Sequence, residues 1–113
     1  MAERLPTHIE ASGILRSAET AGGFGMVLRK GDPDRGSLVL LVGNRGVHFG
    51  CLERMLSSDG AYRWRQVGPA QDAGTEMIAD WSQKRVSFDS DLWLIELDIP
   101  LPERFIAETT SQG

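Results

Sequence analysis

Alternation of apolar and polar positions is strongest over Asp91-Leu92-Trp93-Leu94-Ile95-Glu96-Leu97-Asp98-Ile99, a run set between Asp89-Ser90 and Pro100. A strand points successive side chains to opposite faces. One face here is Trp93, Ile95, Leu97 and Ile99, apolar throughout; the other is Leu92, Leu94, Glu96 and Asp98, which passes from apolar to acidic. Such a strand belongs inside a sheet, with one face in the core and the other covered only over its first half.

Four more strands follow from the same reading. Phe24–Lys30 sets Phe24, Met26 and Leu28 against Gly25, Val27 and Arg29, which gives one clear core face. Ser37–Val42 is apolar on both sides, the mark of an interior strand. Val47–Leu56 places Val47, Phe49, Cys51 and Met55 on one face, and Ala61–Val67 turns Tyr62 and Trp64 inward. Gly31–Gly36, Gly43–Gly46 and Ser57–Gly60 are built of turn residues. Three short turns between four successive strands predict an antiparallel meander.

Helical spacing appears twice at length. Thr7 with Glu10 has the form of a capping box, and Ala11, Ile14, Leu15 and Ala18 then share a narrow face that ends at Ala21-Gly22-Gly23. Asp72 or Thr75 caps a second helix whose stripe is Met77, Ile78, Trp81 and Arg85. Pro102–Ala107 makes a last short helix with Phe105 and Ile106 tucked back, and residues 108–113 form a small polar tail expected to fray. The expected fold is α+β: one domain over residues 1–113, with a mainly antiparallel five-stranded sheet (a four-strand meander plus the C-terminal strand) and two main helices packed on it. The last strand's place, beside the first or the fourth, stays open; if it ran parallel to the fourth, the crossover through the second helix should be right-handed.

Composition narrows the partners. Sixteen acidic residues against twelve basic ones give a formal charge of −4 over 113 residues, which disfavours non-specific binding to nucleic acid or anionic lipid. A single cysteine, Cys51, allows no intrachain disulfide and points to a reducing cytoplasm. Met1–Pro6 lacks the apolar segment of a signal peptide, and no run approaches the ~18 apolar residues of a spanning helix.

Few groups carry chemistry. Glu96 and Asp98 lie two apart on one strand face, with Cα atoms about 6.5–7 Å apart. They could share a proton, hold a cation, or pair with arginines such as Arg63, Arg65 or Arg85. Asp89 and Asp91 extend this acidic set, with Arg85 as counter-charge. Cys51 and His48 are three apart on a strand, so alternation sends them to opposite faces and denies them a nucleophile–base pair. His8 sits in a helix's first turn, where packing or solvent exposure is expected rather than catalysis. Two histidines and one cysteine exclude zinc sites of the usual spacing. Gly22-Gly23-Phe24-Gly25 runs from helix into strand, the wrong order for a phosphate loop, and Gly43-Asn44-Arg45-Gly46 joins strands where a KH loop joins helices. Tyr62-Arg63-Trp64-Arg65 separates aromatics from arginines, so an aromatic core under a charged exterior is expected; Arg54, Arg63 and Arg65 form the candidate anion or partner patch.

The order of motifs is similar to that of a known family. Arg4-Leu5-Pro6, Arg16 with Ala21-Gly22-Gly23, Lys30-Gly31-Asp32-Pro33, Leu52-Glu53-Arg54, Trp64, Phe88-Asp89-x-Asp91-Leu92-Trp93-x-x-Glu96-Leu97-Asp98 and Glu103-Arg104-Phe105-Ile106 follow one another along nearly the whole chain. Together they resemble the short bacterial proteins of domain-of-unknown-function family 1491, most specifically in the Phe88–Asp98 block. That resemblance implies a bacterial cytosolic protein and supplies no catalytic residues. The reading assigns no catalytic residue, cofactor or metal. It expects a non-enzymatic interaction or scaffold domain that forms a homodimer or meets a protein partner, with no membrane attachment and no nucleic acid. The alternatives are a small enzyme or a ligand- or metal-binding protein using the acidic end of the 91–99 strand, and weak RNA or anion binding through the arginine face.

Overall fold

The 91–99 run becomes the middle of the sheet. The computed structural model describes residues 5–111. Along the chain come α1 (Thr7–Thr20), β1 (Phe24–Arg29), β2 (Leu38–Asn44), β3 (Val47–Leu56), β4 (Tyr62–Val67), α2 (Thr75–Phe88), β5 (Trp93–Asp98) and α3 (Pro102–Ser111). The strand order is β1-β5-β2-β3-β4. β5 is antiparallel to β1 and parallel to β2; β2, β3 and β4 pair antiparallel. The architecture is α+β with a mixed sheet and three helices, rather than a four-strand meander carrying two.

The meander fails between β1 and β2 because β5 is inserted there. The 31–36 segment, which reads as a hairpin turn, is a loop that crosses the start of β5. Asp32 N–H donates to the Asp91 carbonyl at 3.0 Å, Trp93 N–H to the Ser37 carbonyl at 2.8 Å, and the Trp93 indole to the Asp32 carbonyl at 2.8 Å. Gly31 and Gly36 permit this contact: a Cβ at either would stand 1.9 or 2.2 Å from the Asp91 carbonyl oxygen.

Both faces of the sheet are covered, unequally. On one side Ala11 and Ala18 of α1 and Ile106 of α3 pack on Leu38, Leu40, Val42, Leu52, Trp93, Ile95, Leu97 and Ile99. On the other, Ile78, Trp81 and Val86 of α2 pack on Val39, Leu41, Cys51, Leu92 and Leu94. The two-faced reading of the central strand therefore holds, down to the exposure of Glu96. The core face expected for β1 does not. Phe24, Met26 and Leu28 are 54%, 52% and 45% exposed. Gly25 and Val27 lie against the α1 side, and the apolar row opens on the α2 side, beyond the reach of that helix.

The helix ends differ from the expected signals in three places, one of them at the start of α2, where Gly74 stands at the N-cap position with no side-chain cap in place of Asp72 or Thr75. The capping box does not form, because Thr7 is already helical and its buried hydroxyl donates to the Gly36 carbonyl at 2.8 Å. The first amides are capped by carbonyls instead, Thr7 N–H on Asp34 and His8 N–H on Pro33. At the other end of α1, Gly22 (φ +93°) closes a Schellman motif, with Gly23 N–H on Ala18 O and Gly22 N–H on Glu19 O. α3 runs to Ser111, four residues past the expected end, so residues 108–111, expected to fray, are helical. Met1–Arg4 and the last two tail positions lie outside the described residues.

A β-bulge corrects another expectation. Val42 pairs with Gly50 but Gly43 pairs with His48, which leaves Phe49 as an extra residue. Phe49 joins the α1 side, and His48 and Cys51 come to one face, with His48 Nε2 and Cys51 Sγ 3.8 Å apart. They still make no nucleophile pair. His48 Nε2 lies 3.1 Å from the Pro69 carbonyl, which only accepts, so that nitrogen carries the proton and cannot take one from the thiol. Burial pushes the Cys51 thiol from 9.0 up to about 12.

Ile95, fully buried, should lose about 2–5 kcal/mol of stability on truncation to alanine. Met77→Ala, at a site 60% exposed, should stay within about 0.5 kcal/mol. Urea unfolding of both variants checks this pair. Because the Cys51 pKa is raised in the folded state, its contribution to stability is complete below about 9 and declines as pH rises toward about 12. The native thiol should resist a disulfide reagent at neutral pH and react fully once the chain is unfolded.

Candidate functional site

The expected acidic set divides between the two ends of β5. Asp89 and Asp91 precede the strand and are tied to one another, Asp91 N–H donating to Asp89 Oδ1 at 3.1 Å. Glu96 and Asp98 close the strand, five to nine positions later in the chain, or roughly 16–30 Å along extended backbone. Arg85 stands with neither group: it pairs with Glu53 across the α2–β3 contact.

The arginines also separate. Arg54 is cross-strand from Trp64, so both lie on the α1 side; there Arg54 pairs with Glu10 and sits 5.7 Å from the Tyr62 ring centre and 5.9 Å from that of Trp64. Arg63 and Arg65 are cross-strand from Met55 and Glu53, on the α2 side. Arg63 pairs with Asp59 at 2.7 Å, and that hydrogen bond pulls the Asp59 carboxyl down to about 2. The three arginines therefore share no common surface, and only Arg65 of the three forms no ion pair with a described residue.

Glu96 and Asp98 meet other partners. They line a cleft of about 420 Å³ between the end of β5, the β2–β3 hairpin and the first turns of α2. That volume falls within the range of small-molecule sites. The cleft exists because α2 covers the sheet incompletely: its first apolar contact with the core is Ile78, and Thr75, Glu76 and Met77 before it are exposed. The floor is apolar, from Leu41, Leu94 and Ile78, and the polar groups around it include His48 and Ser82. No lysine or arginine among the described residues lines it.

Each polar group has a distinct state. Asp98 Oδ1 accepts the Arg45 amide at 3.1 Å, which ties the β2–β3 hairpin to the end of β5. The Glu96 carboxylate forms no hydrogen bond or ion pair with any described residue and is exposed. His48 is 9% exposed and spends Nε2 on Pro69. Ser82 is 7% exposed, and its Oγ is buried with no hydrogen-bond partner among the described residues. A polar atom in that condition costs about 1–3 kcal/mol, so it calls for a partner. Among the described residues no three His, Cys, Asp or Glu side chains come together to hold a metal ion.

Sequence reading found the two carboxylates and missed His48 and Ser82. Strict alternation put His48 on the wrong face; the only hint of the bulge was Gly50 inside a strand pattern. Ser82, four residues after Ile78, falls on the covered face of α2, and that spacing was the signal for it.

Beside the cleft lies the open row of β1. Met26 is cross-strand from Glu96, and Phe24 from Asp98. Leu28 belongs to both features, as it also lines the cleft. The acidic groups are thus bordered by exposed apolar side chains on one side and by α2 on the other.

Three solved structures share the fold. An NMR structure of a protein of the same family from Caulobacter crescentus CB15 is 24% identical, with a TM-score of 0.74 over 87% of this chain and 88% of that one. A crystal structure of a family protein from the same organism is 27% identical, with a TM-score of 0.72 over 84% of this chain and 88% of that one. The solution structure of a protein from A. tumefaciens is 24% identical, with a TM-score of 0.73 over 87% and 88%. No curated protein matches this chain. No helix in the described residues is long and apolar enough to cross a membrane. The family model for proteins of unknown function DUF1491 matches residues 5–107, and the chain belongs to that family.

Proposed function

We propose that the protein is a non-enzymatic interaction domain that self-associates through the β1 edge of its sheet. The observation that carries this reading is the exposure of Phe24, Met26 and Leu28, about half each, on a strand with a neighbour on one side only. An edge strand with exposed apolar side chains is a template for pairing with another chain. Finishing the burial of three such side chains is worth about 2–4 kcal/mol before the cost of association, which makes the row an anchor rather than a complete interface.

A second copy fits the edge better than an unrelated strand does. Antiparallel pairing of β1 with its two-fold mate would continue the sheet across both copies. It would also bring the basic end of one β1, at Arg29 and Lys30, toward the other copy's Phe24, whose cross-strand neighbour is Asp98. Opposite charges in that arrangement favour one register and disfavour parallel pairing. The location this implies is the cytoplasm, where a buried reduced thiol such as Cys51 persists.

Size-exclusion chromatography with light scattering tests the proposal. The chain should run at twice its 12.4 kDa mass. Met26→Lys should return it to the monomer and leave its fold, read by circular dichroism, unchanged. A wild-type chain that stays monomeric at every concentration examined would remove the basis for this reading.

A further inference from the structure

We infer that the cleft under the first turns of α2 is a binding site for a small primary amine with an apolar body. This goes beyond the interaction surface proposed for β1 and does not depend on it. The ligand class follows from the lining. The floor of Leu41, Ile78 and Leu94 accepts an apolar group, and the two formal charges at the mouth, Glu96 and Asp98, are both negative, with no lysine or arginine among the described residues of the lining. Asp98 has one oxygen committed to the Arg45 amide, whereas Glu96 has both oxygens without a partner among the described residues. Glu96 is therefore the group available to receive an ammonium, and charge-assisted hydrogen bonds of that kind are the strong ones.

Two further features favour a ligand over an empty surface. The cleft holds about 420 Å³, the scale of a small molecule. Ser82, more than nine-tenths buried on the α2 wall, carries a hydroxyl with no hydrogen-bond partner among the described residues. A buried hydroxyl in that condition is best explained by a partner absent from the chain itself. His48 adds a polar wall whose Nε2 proton is held by Pro69. An anion would meet two carboxylates, and a neutral molecule would gain nothing from either.

The test is a titration of the isotope-labelled chain with three probes of one shape, followed by amide shifts in NMR spectra: 2-phenylethylamine, 2-phenylethanol and phenylacetate. The amine should bind with shifts centred on Gly43, Gly46 and Ile78, which border the cleft. The alcohol should bind about tenfold or more weakly, the range expected for losing a hydrogen bond to a charged group, and the carboxylate should not bind. Added salt should weaken the amine alone. Glu96→Gln should erase the preference of amine over alcohol. Ala79→Trp, a substitution at an exposed position on the cleft wall, should block both while the unfolding midpoint holds. Equal affinity for amine and alcohol, shifts centred away from the cleft, or no binding of the amine would each overturn the inference. None of these results changes the oligomeric state expected from β1, so the two readings fail separately.

Discussion

Every other part of the molecule takes its position from the hydrogen bonding of β5 on both edges. All six of its residues pair with β2 on one side, and five of them, Leu94–Asp98, pair with β1 on the other. They are also the point where both core clusters meet, since Trp93, Ile95 and Leu97 enter one and Leu94 the other. A strand in that place is desolvated on four sides, and its sequence must be apolar wherever cover is complete. The cover runs out after Leu94 on the α2 side, and there the chain changes to Glu96 and Asp98. The acidic end and the cleft are two consequences of one fact: the first turns of α2 border the end of β5 without packing on it, and the helix meets the core only from Ile78 onward.

The same shortfall explains β1. Its row of Phe24, Met26 and Leu28 is on the α2 side of the sheet, next to β5, and no helix lies over it. The opposite row meets α1, whose narrow face of Ala11 and Ala18 allows close approach. A stable monomer alone would be better served by polar residues at those three positions, because exposed apolar rows invite association. Glu96, whose carboxylate has no partner among the described residues, lies cross-strand from Met26 in the same uncovered region.

How much of this could be read from the residues depends on the range of the interaction involved. The central strand, its two unlike faces and the exposure of Glu96 follow from local alternation, and all were legible. The Ala21-Gly22-Gly23 stop was legible because a Schellman motif needs only neighbouring residues. The order of strands was not. Gly31–Gly36 has the composition of a tight turn, and only the distant Asp91 backbone shows why its glycines are there. Nor does alternation say which row of an alternating strand is covered. Phe24, Met26 and Leu28 look like core until the position of α2 is known. The Phe49 bulge reversed the relation of His48 to Cys51 for a similar reason, since a single extra residue changes every face assignment beyond it. The two carboxylates of the cleft were visible in the sequence, while the cleft itself, bordered by the first turns of a distant helix, was not.

Native-state hydrogen exchange tests the central role of β5 most directly. Amides of Trp93–Asp98 and of the adjoining β2 should form the slowest class, opening only with global unfolding, while the β4 edge exchanges sooner through local opening. If the β5 amides instead exchanged with the β4 edge, or before the β3–β4 hairpin, the strand could not be the element on which the fold is built.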